Sequence, residues 1–388
     1  MPRQGRLEQA GLLALFGLAG SLQFSIAVAQ ILLTVALACW VALLASRRER
    51  FEVPRLFWPL AAYAGASLVS ALCSPEPRVS LVDCKQLVLF LIVPVVYTFA
   101  TGTRAATMVT VILSFGAASA AFGIFQYGIL HYDNLGQRPH GTLGHYMTYS
   151  GLLMLVIGAA LARVLFGRRD RMWAALVIPA LAVAVVLTFT RSAWVGACAA
   201  TALLLALRDF RLVAVLPIVA ALFFAIAPTR ITNRFISIFD LKDPTNRDRI
   251  AMLREGEQMV RAHPLVGVGP NMVEQRYAQY RDPEAVERVN PHLHNVPLQI
   301  AAERGLPALA IWLWFIIMTV MALWRSFQAG PSRALAAAGL AAVAAMLSAG
   351  LFEYNFGDSE FLVLFLVLIT LPFAAARNGT PAASARAG

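Results

Sequence analysis

The feature that most constrains this chain is a succession of apolar runs, each near the length that crosses a bilayer, separated by short connectors rich in arginine. A spanning helix takes about 20 mostly apolar residues, and unpaired backbone in hydrocarbon is too costly for irregular spans. Spans are expected near 8–22, 26–45, 56–73, 80–100, 105–129, 146–166, 172–190, 193–208, 211–228, 306–325, 333–352 and 360–376. The 388 residues are 59% hydrophobic and 14% charged, against roughly 25% charge in soluble domains. Most of this apolar surface is therefore expected to face lipid. The expected fold is all-α and polytopic, with about 12 transmembrane helices. Residues 1–228 hold spans 1–9, residues 229–305 a polar loop, residues 306–376 spans 10–12, and residues 377–388 a tail.

The arginines set the orientation. With Arg3 and Arg6 inside, the clusters at Arg47, Arg48 and Arg50, at Arg104, at Arg168, Arg169 and Arg171, at Arg208 and Arg211, at Arg325 and Arg333, and at Arg377 all fall on the same side. Short cytoplasmic connectors carry this bias, so both termini are expected in the cytoplasm. The net charge of +11 is then explained by topology and anionic lipid rather than by nucleic acid. No cleavable signal peptide is expected, because the first apolar stretch runs into a second with no cleavage-like site before a soluble domain. Of the four cysteines, Cys73 and Cys84 flank a short outer loop and are the candidates for a disulfide.

The opposite face collects the ionisable chemistry. All six histidines (His131, His140, His145, His263, His292 and His294) fall in two outer segments, 130–145 and 228–305. In the longer segment, residues 246–262 carry Ile250, Leu253, Met259 and Val260 near helical spacing. The proline and glycines of Pro264-Leu265-Val266-Gly267-Val268-Gly269-Pro270 stop that helix, and a second amphipathic stretch is expected over 272–290, interrupted at Asp282-Pro283. Both helices are expected to lie on or above the membrane as a partial lid.

Pro291-His292-Leu293-His294-Asn295-Val296-Pro297 lies where this loop re-enters the membrane. A histidine there can take a proton from a substrate hydroxyl, or it can cap the incoming helix. Cations at the outer edge, Lys85, Arg138, Arg191, Arg247 and Arg249, run against the topology bias and call for compensation. Phosphate oxygens are the natural partners of a guanidinium fork; acidic neighbours such as Asp83, Asp133, Glu353 or Asp358 are the alternative. Metal catalysis is not expected: there is no HxxxH on a helix, no DxD and no paired Asp–Glu cluster on the outer face. His292 and His294, two apart, would diverge on a helix, while an extended segment could bring them to one side.

These residues resemble those of a family. His294-Asn295 followed by Gly305 is similar to the signature of bacterial O-antigen ligases, in the O-antigen ligase/polymerase superfamily. Arg249 with His263-Pro264-Leu265-Val266-Gly267-Val268-Gly269, Gly141-Thr142-Leu143-Gly144-His145, and Thr188-Phe189-Thr190-Arg191-Ser192 look like further family motifs. Leu253 stands where the family has an aromatic, and Ala308 where it has a second glycine. The resemblance covers the layout of nearly the whole chain.

The resemblance implies a protein of the bacterial inner membrane with a helical periplasmic lid between spans 9 and 10. The implied reaction is metal-independent, inverting transfer of a glycan from undecaprenyl diphosphate to lipid A–core, needing no cofactor. His294 would be the general base, and Arg138, Arg191, Arg249, Arg247 and Lys85 would hold the diphosphate. His292, Asn295, His140, His145 and Glu303 would support them. The partners implied are the lipid-linked donor, the lipid A–core acceptor and membrane lipids. The nearest alternatives are an O-antigen polymerase or a protein O-oligosaccharyltransferase of the same superfamily. A lipid-linked glycan transporter fits less well, since the span centres are nearly free of charge.

Overall fold

The computed structural model describes residues 5–377; Arg3 and the tail at 378–388 lie outside the described residues. All regular elements among them are helical. They are α1 (Arg6–Ser21), α2 (Ile26–Ala45), α3 (Phe57–Leu72), α4 (Pro77–Asp83), α5 (Ile92–Phe99), α6 (Thr103–Gly128), α7 (Tyr146–Phe166) and α8 (Arg171–Leu187). There follow α9 (Arg191–Arg208), α10 (Val215–Ile226), α11 (Thr229–Ile236), α12 (Pro244–Ala262), α13 (Val273–Tyr280), α14 (Val296–Ala329), α15 (Arg333–Ala349) and α16 (Ser359–Ala376). A 3₁₀ stretch, Cys84–Leu91, joins α4 to α5.

Six helical segments are long and apolar enough to cross a membrane: α2, Pro77–Phe99, α6, α7, α14 and α16. Phe57–Leu72, Arg171–Leu187, Phe210–Ile226 and Arg333–Ala349 are apolar but shorter. Of the twelve expected segments, the remaining two fall on α1 and on α9, which has an arginine at each end. Burial separates centre from periphery. In α7 and α16, 78% of the apolar window is buried, against 33% in α2 and α14, so the first pair is central. Small residues let the central helices close up: a Cβ on Gly158 of α7 would lie 3.3 Å from Ala341 Cβ of α15.

The polar loop differs from its expected form. An unanticipated helix, α11, opens it. On α12 the buried face is Ala251, Met252, Glu255, Gly256 and Met259, so Met259 turns inward but Leu253 faces out. The second amphipathic stretch is helical only over α13. Residues after it are clipped to α12 by acidic side chains, which offer the backbone a non-helical partner. Asp248 Oδ1 accepts from Val286 N (2.7 Å) and Glu287 N (3.0 Å), and Glu255 Oε1 from Asp282 N (2.9 Å). All four cysteines are free. Cys73 is exposed, while Cys84 at the start of the 3₁₀ turn is buried with Sγ 3.9 Å from Ser67 O. The candidate disulfide is thus not formed.

One backbone junction ties the loop to the bundle. Gly305, at φ 82°, breaks α14, and the carbonyls that lose their helical partners find new ones. Val268 N donates to Ala302 O (2.8 Å), Gly269 N to Glu303 O (2.9 Å) and Leu306 N to Pro264 O (2.8 Å). Ser70 of α3 donates to Val266 O (2.6 Å) and Glu303 O (2.9 Å). A Cβ on Gly305 would sit 2.2 Å from Leu265 O, and one on Gly267 (φ 70°) 2.2 Å from Glu303 C. Both glycines are needed for left-handed backbone and for close approach. We predict that Gly305→Ala or Gly267→Ala lowers stability by roughly 2–4 kcal/mol, read as an earlier thermal transition in detergent. Gly65→Ala, where an added Cβ meets nothing within 4 Å, should leave the transition unchanged or slightly raised.

Candidate active site

Asn295 starts the assembly of the site. Its Oδ1 accepts from Leu298 N (2.9 Å) and caps α14, while its Nδ2 donates to Leu351 O (3.2 Å). The helix cap is therefore Asn295, and His294, the residue before it, is left for other contacts. His294 sits in left-handed backbone at φ 49°, which folds the segment so that the two histidine rings lie 4.3 Å apart. Both face Glu353, in the loop between α15 and α16. His294 Nδ1 is 3.1 Å from each Glu353 carboxylate oxygen, and His292 Nε2 is 3.4 Å from Oε1. Burial alone would push Glu353 up, but His294 and His292 outweigh it and hold the carboxyl well below the usual range. A carboxylate on Nδ1 orients the imidazole and stabilises its protonated form.

His292, His294 and Glu353 bring one ligand atom each within 4.8 Å of one another, a spacing one metal ion could bridge. The sequence spacing did not show this trio, because the loop is not helical and the third member comes from 59 residues away. The same geometry serves a histidine paired with a carboxylate.

His294 lies on the walls of two cavities. The smaller, about 240 Å³, is lined by Arg191, Arg249 and Asn246 among Ile238, Leu241, Ile250, Leu253, Leu351 and Phe352. The larger, about 490 Å³, is lined by Asp83, Glu303, Glu353 and Asp358, the amides Gln86, Asn271, Gln299 and Asn355, and the histidines His145, His292 and His294.

The arginines at the smaller cavity are short of negative charge. Arg191 opens α9 and reaches Asp243 Oδ1 at 3.4 Å, and Arg234 reaches Asp243 Oδ2 at 4.0 Å. One carboxylate thus serves two guanidiniums. Burial, then Arg191 and Arg138, push Arg234 down to about 10. Burial also lowers Arg249, with Glu353 opposing and Arg191 reinforcing the shift. Arg138, 4.3 Å above the Tyr146 ring, is lowered by burial and by Arg191, with Tyr146 opposing. A cluster of like charge, with Arg191 buried and the others half-buried, is poised for a multivalent anion.

The other residues singled out from the sequence scatter. His145 lines the larger cavity; His140 sits half-buried beside Tyr132 and lines neither. Glu303 is buried against Arg304 and accepts from Asn271 N (2.9 Å). Arg247 is exposed and lines neither cavity. Lys85 is exposed, with Arg78, in a groove that shares Asp83, Gln86 and Asn271 with the larger cavity. The sequence does not single out Arg234, Asp243 or Asn246, and it offers Glu353 only as a salt-bridge partner. Arg234 lacks a motif of its own, and the Glu353 contact to His294 is not local.

The chain is thus a helical protein of membrane-spanning character whose basic and histidine-bearing cavities meet at His294 and Ser192. Residues 174–313, from α8 into α14, match a family model described as O-antigen ligase. That match covers 140 of the 388 residues and makes this part of the chain similar to the O-antigen ligase family. No curated protein matches the chain. The matched stretch contains Arg191, Arg234, Arg249, His292, His294 and Gly305.

Two outcomes are expected. Because Glu353 is depressed, its contribution to stability is present above the ordinary value of 4.5 and is lost as pH falls towards the folded value. Wild type should therefore lose its thermal margin over Glu353→Gln on acidification below about pH 4.5. Inorganic pyrophosphate should raise the thermal transition in low salt, and Arg191→Gln with Arg234→Gln should abolish the rise.

Proposed function

We propose that this protein is an O-antigen ligase, transferring a glycan from undecaprenyl diphosphate to lipid A–core at the periplasmic face of the bacterial inner membrane. The observation that carries this reading is His294, held by Glu353 at the wall of an apolar cavity lined by Arg191 and Arg249. A lipid-linked diphosphate is the substrate whose charge and apolar tail suit that combination. Twelve spans with both termini inside, and 229–305 as a periplasmic lid, are part of the proposal. So is a sideways opening, since both substrates carry lipid.

His294 takes the proton of the acceptor hydroxyl while its oxygen attacks the anomeric carbon. The new C–O bond forms as the C–O bond to phosphate breaks, with inversion, and the electron pair leaves with undecaprenyl diphosphate. Arg191, Arg249, Arg234 and Arg138 stabilise that leaving charge. Glu353 orients His294 through its contact with Nδ1. Lys85 and Arg247, exposed at the outer edge, contact the diphosphate or lipid headgroups during approach. A diphosphate is a good leaving group, so the reaction is proposed to need no metal.

The test is transfer by purified protein, with lipid-linked glycan, lipid A–core and EDTA present. Wild type should form product, and His294→Ala should lose about 10²–10⁴-fold in rate. Normal transfer by a well-folded His294→Ala would remove its catalytic role. Loss of wild-type activity in EDTA, restored by a divalent metal, would make the His292–His294–Glu353 trio a metal centre. Chain growth on added lipid-linked glycan, with none on lipid A–core, would move the protein to the polymerases.

A further inference from the structure

The two cavities that meet at His294 have opposite electrostatic character. The smaller has two arginines and no carboxylate among its lining residues. The larger has four carboxylates and neither lysine nor arginine among its lining residues. The nearest cations stand outside its lining, Arg304 behind the wall and Lys85 and Arg78 in the groove that shares Asp83 with it. Asp83 and Glu303 share Arg304, at 3.4 Å from Asp83 Oδ2. Glu353 is tied to the two histidines. Asp358 has no cation within salt-bridge distance among the described residues. It accepts from Thr148 Oγ1 and from Phe361 N (2.9 Å). On the same wall Asn355, 7% exposed, has its Oδ1 buried without a hydrogen-bond partner, a polar atom awaiting a donor.

We propose that the larger cavity is the acceptor subsite, and that it selects a sugar whose reacting ring carries hydroxyls but no phosphate or carboxylate. This inference rests on the transferase reading above and adds which side each substrate takes. In an inverting displacement the nucleophile and the leaving group lie on opposite sides of the anomeric carbon. With the diphosphate among the arginines, the acceptor hydroxyl approaches from the carboxylate side, past His294. A volume of about 490 Å³ falls within the roughly 300–1,000 Å³ of small-ligand sites. Sugar hydroxyls donate to Asp83 and Asp358, and accept from amides such as Asn271. An anionic ring meets like charge there, and repulsion acts as a specificity element. The same repulsion keeps the donor diphosphate out of the acceptor side.

The test uses full-length protein in detergent with lipid-linked donor and two synthetic acceptors. One is a lipid-anchored oligosaccharide ending in an unsubstituted hexose, the other the same compound with a phosphate monoester beside the acceptor hydroxyl. Wild type should favour the first by about tenfold or more in kcat/KM. Asp358→Asn, which keeps the helix cap, should narrow that ratio at least about threefold, mainly through KM for the phosphorylated compound. Thermal shift by each acceptor without donor gives a readout independent of turnover, and should show the same preference. Equal use of the two acceptors, a preference for the phosphorylated one, or an unchanged ratio in Asp358→Asn would overturn the assignment. Absence of transfer to either, with selective stabilisation by the unsubstituted acceptor, would sink the transferase reading and leave the subsite standing.

Discussion

The backbone junction between Gly305 and the turn at 264–270 is the constraint on which the site depends. Breaking α14 frees the carbonyls of Ala302 and Glu303, and the turn supplies the N–H groups that satisfy them. Ser70 closes the junction from α3. Because the polar loop is fastened at this point, the first turns of α14 stand against α12, where Gly256 admits Leu298 and Leu293 at close range. His294 and Asn295 inherit their position from that packing. The break thus converts a long apolar helix into a short, buried polar start and a membrane-facing continuation.

Charge is then sorted around His294. Arg191, Arg234, Arg249 and Arg138 come from four separate elements and share too little acid, whereas Asp83, Glu303, Glu353 and Asp358 gather on the other side. Neither arrangement would be stable as an isolated patch in a low-dielectric setting. Local pairing moderates each: Asp243 between two arginines, Arg304 between two acids, Glu353 between two histidines. What remains uncompensated has opposite sign in the two cavities.

The departures from the family pattern fall in instructive places. Leu253, where the resemblance leads one to expect an aromatic, lines the arginine-bearing cavity and so affects its apolar wall rather than its charge. Ala308, in place of a second glycine, is buried at 1% exposure one turn beyond the break. It adds only a methyl group to a helix that is already regular there.

The sequence by itself determined the helical class, the membrane character and the gathering of the six histidines in two polar segments. Apolar run length, backbone hydrogen bonding and arginine spacing are local properties that need no tertiary contact. It also pointed to His294, Arg191 and Arg249, because they stand in polar connectors beside apolar runs. Only the tertiary structure decided that Asn295 caps α14 while His294 meets Glu353, that Arg234 joins the basic cluster, and that Lys85 and Arg247 stand at the periphery. Those outcomes depend on contacts across tens to hundreds of residues and on left-handed backbone at His294, Gly267 and Gly305. No periodicity encodes such contacts, since the partner of each group is chosen by packing rather than by spacing along the chain.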